Sequence, residues 1–188
     1  MPEPTTAELV RRARADDQAA WAELVHRYGR VVWSVARAYG LSSTDAADVS
    51  QTSWLNLAQR LDTLRAPERL AGWLATTARH ESLRVLAARR RETPLAWLDF
   101  YPVEDEHLPE HAVLAADTDG ALWRTLAELP ERCRTLLRLI AYAPELTYAQ
   151  AASALGIQLG SVGNTRGRCL AELRRRLSGA GVLDGASR

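Results

Sequence analysis

Apolar positions recur along the chain at three- and four-residue spacing and nowhere alternate with a period of two, so helices are predicted throughout and strands are not. Ala20, Trp21, Leu24, Tyr28, Val31, Val32 and Val35 form one stripe. This predicts a long helix capped by Asp16 or Asp17 and ended near Gly40. Ser42 followed by Asp45 has the form of a capping box, opening a second helix that buries Ala46, Val49, Trp54, Leu57 and Leu61. A third helix is predicted to start near Pro67, since proline suits a first turn. It runs through Leu70, Trp73, Leu74, Ala78 and Val85 to the cluster Arg89-Arg90-Arg91, whose charge suits a helix C-terminus.

From Glu92 to Thr118 the periodicity fades, and Pro94, Pro102 and Pro109 interrupt a stretch rich in Asp and Glu, the signature of a linker. After Asp119 the pattern resumes with Leu122, Leu126 and Leu129. Pro130 then leads a helix carrying Cys133, Leu136, Leu137 and Ile140, which stops before Pro144. Thr147 with Gln150 repeats the capping-box pattern, Tyr148 to Leu155 is a short Ala-rich helix, and Gly156 supplies the left-handed residue that ends it. Ser161 caps a helix from Val162 to Leu177. Two helices joined by a short Gly-containing turn, with Ala151 and Ala152 small enough for a close crossing, make a helix-turn-helix. With Val162, Cys169, Leu170, Leu173 and Leu177 inward, most of Arg166, Arg168, Arg174, Arg175 and Arg176 face out, as a helix reading a major groove requires. The predicted fold class is all-α: two small helical domains, residues 1–91 and 119–178, joined by a flexible acidic linker over 92–118 and followed by a flexible tail over 179–188.

Composition narrows the picture. The chain has 188 residues, 47% hydrophobic and 25% charged, which excludes wholesale disorder. Apolar runs are broken by Arg within a few residues and Met1–Val10 holds no apolar segment, so neither a membrane span nor a leader peptide is expected and a cytoplasmic location is. The net charge of +1 conceals segregation: residues 1–91 carry +4, 92–123 carry −8 without a single Arg, and 124–188 carry +5. Two basic modules flanking an acidic connector suit a partner built of phosphates.

Enzyme chemistry finds little support. His107-Leu108-Pro109-Glu110-His111 matches the inverted zinc-protease spacing, but Pro109 would break the helix needed to align both histidines. Cys133 and Cys169 lack zinc-site spacing and read as small buried hydrophobes. No catalytic residue, metal or cofactor is expected, and the chain is read as a non-enzyme. Trp21, Trp54 and Trp73 sit on apolar stripes and read as core rather than as platforms for bases.

Three segments in order then resemble a family. Asp45-Ala46-Ala47-Asp48-Val49-Ser50-Gln51 resembles an Asp-Ala-x-Asp-Val-x-Gln signature, Gly72 to Arg79 a Trp-Leu-x-x-x-Ala-Arg segment, and Leu129-Pro130-Glu131-Arg132 with the helix-turn-helix a second conserved region. Together, over residues 16–177, they resemble regions 2 and 4 of the extracytoplasmic-function (ECF) sigma factors of the sigma-70 family. The resemblance implies an alternative sigma factor that binds core RNA polymerase and directs promoter recognition, DNA melting and transcription initiation. Its implied partners are the clamp of the largest polymerase subunit, met by Asp48 and Gln51, the flap of the second-largest subunit, and promoter DNA; it also admits an anti-sigma factor. Minus-10 contacts are expected from Arg65, Arg69, Arg79, His80 and Arg84, with Arg60–Gly72 forming a base-capturing loop. Minus-35 contacts are expected from Ser161, Asn164, Thr165, Arg166 and Arg168. The chain departs from the family pattern at Gly163, which replaces a basic residue and shifts the expected contacts to Arg166 and Arg168, and at His80 and Arg84. The acidic linker is expected to enter the polymerase's RNA path by charge complementarity. A stand-alone repressor is the competing reading.

Overall fold

The computed structural model describes residues 3–92, 116–144 and 146–179. Most of the acidic linker, the His107–His111 motif and residues 180–188 of the tail lie outside the described residues. Within them there are eight α-helices and no strand: α1 Thr6–Ala13, α2 Gln18–Ala38, α3 Ser43–Arg60, α4 Leu70–Glu92, α5 Ala116–Ala127, α6 Glu131–Tyr142, α7 Tyr148–Leu155 and α8 Val162–Gly179.

The helix ends follow local chemistry. The Asp17 carboxylate accepts from the backbone N–H of Ala19 and Ala20 at 3.0 and 3.1 Å and caps α2. Its carboxyl is held below the usual range, first by the Arg12 guanidinium 2.8 Å away and then by the Ala20 N–H. The predicted capping boxes at Ser42/Asp45 and Thr147/Gln150 are both formed. Gly156 ends α7 at φ +63°, in the left-handed region. Pro67–Arg69 forms a 3-10 turn leading into α4 rather than its first turn, and Ser161 closes a 3-10 turn that leads into α8. Helix α5 starts at Ala116, inside the stretch read as linker, and α1 is an element the stripe pattern does not reveal: only Leu9 and Val10 of its eight residues are buried.

Helices α1–α4 pack around Leu9, Leu24, Val32, Val35, Val49, Leu57, Leu70 and Leu74, all essentially inaccessible. Trp21 and Trp54 meet edge to face, centroids 6.2 Å apart, and Trp73 packs against the same core, as their spacing predicts. The second half has its own smaller core of Leu126, Leu129, Leu136, Leu137 and Cys169. Here one expectation fails. Cys133 and Cys169 are not independent hydrophobes but a disulfide joining α6 to α8; only the tertiary approach of α6 and α8, invisible to spacing, brings them together.

The two halves also share a core. Leu139, Ala151, Ala152, Ala154 and Val162 belong to the cluster built on α1–α4, with α6 against α2 and α7 against α4. The Ser34 hydroxyl donates to the Tyr142 carbonyl at 3.3 Å and the Tyr39 hydroxyl to the Ala154 carbonyl at 2.9 Å. The Arg37 guanidinium lies over the Tyr142 ring at 5.9 Å. Each half further presents a left-handed glycine to an arginine of the other. A Cβ on Gly40 (φ +81°) would stand 2.9 Å from Arg138 Nη1, and one on Gly156 would stand 2.7 Å from Arg79 Cζ.

Candidate functional site

Three surfaces carry the residues singled out by sequence. The first is an open groove of about 590 Å³ between α2 and α3, lined by Val25, Gly29, Arg30, Trp33, Ala47, Ser50, Gln51 and Trp54. Ala46, Val49, Ser53 and Leu57 turn α3 inward, which leaves Ala47, Asp48, Gln51 and Leu55 on its exposed side. Gln51 lines the groove; Asp48 lies one turn before it, exposed. Val25, Trp33 and Leu55 are 36%, 37% and 57% exposed. Sequence reasoning did not single them out, yet they lie off the buried stripes, and a Trp or Leu outside a stripe is the signal that finds them.

The second surface follows α3. Residues Leu61–Thr63 and Pro67–Arg69 form two 3-10 turns, and Arg14 fixes them from α1: its Nε donates to the Leu61 carbonyl at 3.0 Å and its Nη2 to the Leu64 carbonyl at 2.7 Å. Arg65 and Arg69 are exposed on this segment. Along α4, His80, Arg84 and Arg91 are exposed at helical spacing, with Arg84 Nε 2.8 Å from Glu81. Arg89 is drawn away to Asp45 of the α3 cap. Arg79 does not join this stripe. It is half-buried beneath Gly156, beside the Tyr39 hydroxyl, and its Nε is buried with no hydrogen-bond partner among the described residues. Burial raises Tyr39 above the usual phenol range, and the Arg79 charge opposes that shift.

The third surface is α8. Gly163, Asn164, Arg166, Gly167 and Arg168 are exposed in its first two turns, and Ser161 is half-buried just before them. Arg166 Nη1 donates to the Tyr148 hydroxyl of α7 at 3.4 Å, which links the two helices of the helix-turn-helix. Thr165 is different: it is buried and its hydroxyl donates to the Ser161 carbonyl at 2.7 Å. Positions 162, 165 and 169 share the inward stripe, so Thr165 sits behind the exposed face rather than on it. Farther along, Arg175 and Arg176 pair with Glu172, whose carboxyl is lowered first by Arg176. Among the described residues no cluster of His, Cys, Asp and Glu could hold a metal ion, and no helix is long and apolar enough to cross a membrane.

The profile of sigma-70 region 2 matches residues 24–92, that is, α2 to α4 with the groove and the turn segment. The ECF RNA polymerase sigma-E factor of Salmonella typhimurium is 28% identical over 167 residues, covering 84% of this chain and 86% of that protein. Residues 24–92 therefore match sigma-70 region 2, and over most of its length the chain is similar to ECF sigma factors. The RNA polymerase sigma factor NccH of Alcaligenes xylosoxydans xylosoxydans is 27% identical over 189 residues, covering 97% of this chain and all of NccH. Two solved folds are also similar: CnrH, in complex with the cytosolic domain of CnrY, at TM-score 0.62 and 24% identity over 91% of this chain and 96% of that one, and RpoE of Bartonella quintana, in complex with the anti-sigma factor NepR, at 0.58 and 18% over 84% and 96%. The region 2 match therefore holds two of the three surfaces, the groove and the basic segment.

Proposed function

We propose that this alternative sigma factor binds core RNA polymerase through the α2/α3 groove and directs promoter recognition, melting and transcription initiation with its two basic surfaces. The groove is the observation that carries the reading: a mostly apolar trough with the exposed Val25 and Trp33, lined by Gln51 and with Asp48 exposed one turn before it on α3, is suited to an amphipathic helical element such as the clamp of the largest subunit. The flap of the second-largest subunit is assigned to the second half, and the proposed division is domains at 1–91 and 119–178 with the connector at 92–118 and the tail at 179–188, α4 and α5 overrunning the connector's ends at Glu92 and Ala116. Arg65, Arg69, His80 and Arg84 serve the minus-10 element. Ser161, Asn164, Arg166 and Arg168 serve the minus-35 element, with Thr165 holding the α8 start and not the DNA.

Arg79 serves the minus-10 element only after the halves part. The two promoter elements are named for positions about 25 base pairs apart, roughly 85 Å of duplex at 3.4 Å per pair. Modules joined by α2–α6 and α4–α7 packing do not span that distance, so the packed form is the resting form and promoter engagement opens it. CnrH and RpoE were each solved with a second protein, RpoE's being an anti-sigma factor; an anti-sigma factor is the regulatory partner assigned to this chain, acting in the cytoplasm. No reaction is assigned to it, since its work is binding alone.

Transcription from a genomic promoter library with core polymerase, with and without this protein, tests the reading. New start sites that appear only with the protein support it. Specific binding to a palindrome without polymerase, and no new starts, would instead make the chain a repressor.

A further inference from the structure

The disulfide lies at a position that the promoter-reading role does not explain. Cys133 is in the first turn of α6, just after Pro130, half-buried and flanked by Arg132 and Arg134. Cys169 is in the middle of α8 and 1% exposed. Their Cα atoms are 5.2 Å apart across a separation of 36 residues, and the closed loop contains the rest of α6, all of α7 and the start of α8 that carries Arg166 and Arg168. We propose that Cys133 and Cys169 form a reversible redox pair whose oxidation locks the helix-turn-helix and raises promoter reading through α8.

Three observations support a switch over a passive staple. Disulfides in a reducing compartment are uncommon and those present are mostly transient or redox-sensing, and the location assigned above is the cytoplasm. The two sulfurs also have unequal surroundings. Cys133 is partly accessible in the first turn of α6, where the N-terminal end of the helix dipole favours the thiolate, the form that attacks; Cys169 is sealed in the core, placed to resolve. Finally, the core that otherwise holds α8 is small, with Leu126, Leu129, Leu136 and Leu137 as its buried members besides Cys169, so a covalent tie counts for more there than in the larger half.

The chemistry balances with a peroxide as oxidant. The Cys133 thiolate attacks one peroxide oxygen; the S–O bond forms, the O–O bond breaks, and the other oxygen leaves as alcohol or water after taking a proton. The sulfur has lost two electrons to the peroxide. The Cys169 thiol then attacks the sulfenic sulfur, forming S–S while S–O breaks and water leaves. A dithiol reductant reverses the bond by two exchange steps, giving its two electrons and two protons to the pair and becoming oxidised.

The inference rests on the minus-35 reading of α8, and the test separates the two. Holoenzyme assembled from core polymerase and the full chain is poised in glutathione buffers from fully reduced to fully oxidised. The dithiol fraction is read by mass after alkylation, and initiation is read at a minus-35-dependent promoter. The account predicts a reversible titration, initiation at least about fivefold higher in the oxidised form, and a melting temperature of the free chain about 5 °C or more lower when reduced. Cys133→Ser and, to avoid a buried hydroxyl, Cys169→Ala should each match reduced wild type at every ratio, which also removes effects of the buffer on polymerase. A pair that stays reduced throughout, or whose oxidation leaves initiation unchanged, overturns the switch. No initiation in either state overturns instead the promoter-reading assignment on which it rests.

Discussion

The two halves of the molecule solve the same packing problem differently. Helices α1–α4 close a core among themselves, with Leu9, Leu24, Leu57, Leu70 and Leu74 excluded from solvent. Helices α5–α8 divide their apolar residues: Leu126, Leu129, Leu136 and Leu137 turn to a private core tied by a disulfide, while Leu139, Ala151, Ala152, Ala154 and Val162 complete the core of the first half. The private core is therefore too small to hold the second half as firmly as the first holds itself. The chain thus has one robust unit and one conditional unit. The conditional unit carries the exposed face of α8 proposed to read the promoter and, while docked, covers Arg79.

The strongest challenge to this contrast is a cavity in each core. Leu74→Ala removes a fully buried side chain from the larger core and should cost about 2–5 kcal/mol, seen as a lower melting temperature for the whole helical signal. Leu136→Ala, equally buried in the smaller core, should unfold α5–α8 first. A thermal melt in which both variants lose helix in one shared step would argue that the halves do not differ.

Next in size is the seat between the halves. Gly156→Ala places a Cβ against Arg79 at a φ of +63° and should cost about 1–3 kcal/mol, shifting the chain toward an expanded form in small-angle scattering. Adding Arg79→Ala removes the clash but not the backbone strain, so part of the expansion should be reversed. An unchanged radius of gyration in the Gly156→Ala variant would remove this seat from the docking account.

A smaller effect is expected at the turn segment. Arg14→Ala deletes two hydrogen bonds to the Leu61 and Leu64 carbonyls, each worth about 1 kcal/mol or less at a partly exposed site. Faster hydrogen exchange confined to residues 61–69 is the expected reading; exchange unchanged there would show that α4 alone fixes the turns.

The smallest expected effect is the response to acid. Asp17 and Glu172 have carboxyls held below their ordinary values of 3.8 and 4.5. A lowered folded-state value stabilises the fold at pH above the unfolded value, and that contribution disappears as pH falls through the folded one. Both groups are partly exposed and solvent screens their pairs, so only a modest loss of stability is expected as pH falls below about 4. A melting temperature that rises on acidification through that window would contradict the assigned pairs.

How much of this was legible in the sequence divides along the same line. Features written in neighbouring residues could be read: the caps at Asp17, Ser42 and Thr147, the left-handed turn at Gly156, the buried Trp21 and Trp54. Features set by the meeting of distant helices could not. The disulfide depends on α6 and α8 approaching each other. Ala151 and Ala152 read as the close crossing inside a helix-turn-helix, whereas they also complete the core shared with the first half. Arg79 reads as exposed from its own helix, and it is α7 that covers it. Thr165 was within reach, because positions 162, 165 and 169 already share a stripe. The exposed Val25 and Trp33 needed the three-dimensional groove to acquire a meaning.

Under the proposed function, one chain carries a polymerase-binding groove and a promoter-reading helix on units that rest together and work apart. The most direct measurement is fluorescence energy transfer between dyes on exposed positions of α3 and α8, at Ala58 and Ala171, in the free chain and then in a holoenzyme initiating at its promoter. The account predicts efficient transfer in the free chain and a separation larger by tens of ångströms in the initiating complex. Initiation at full rate with the short distance retained would contradict it.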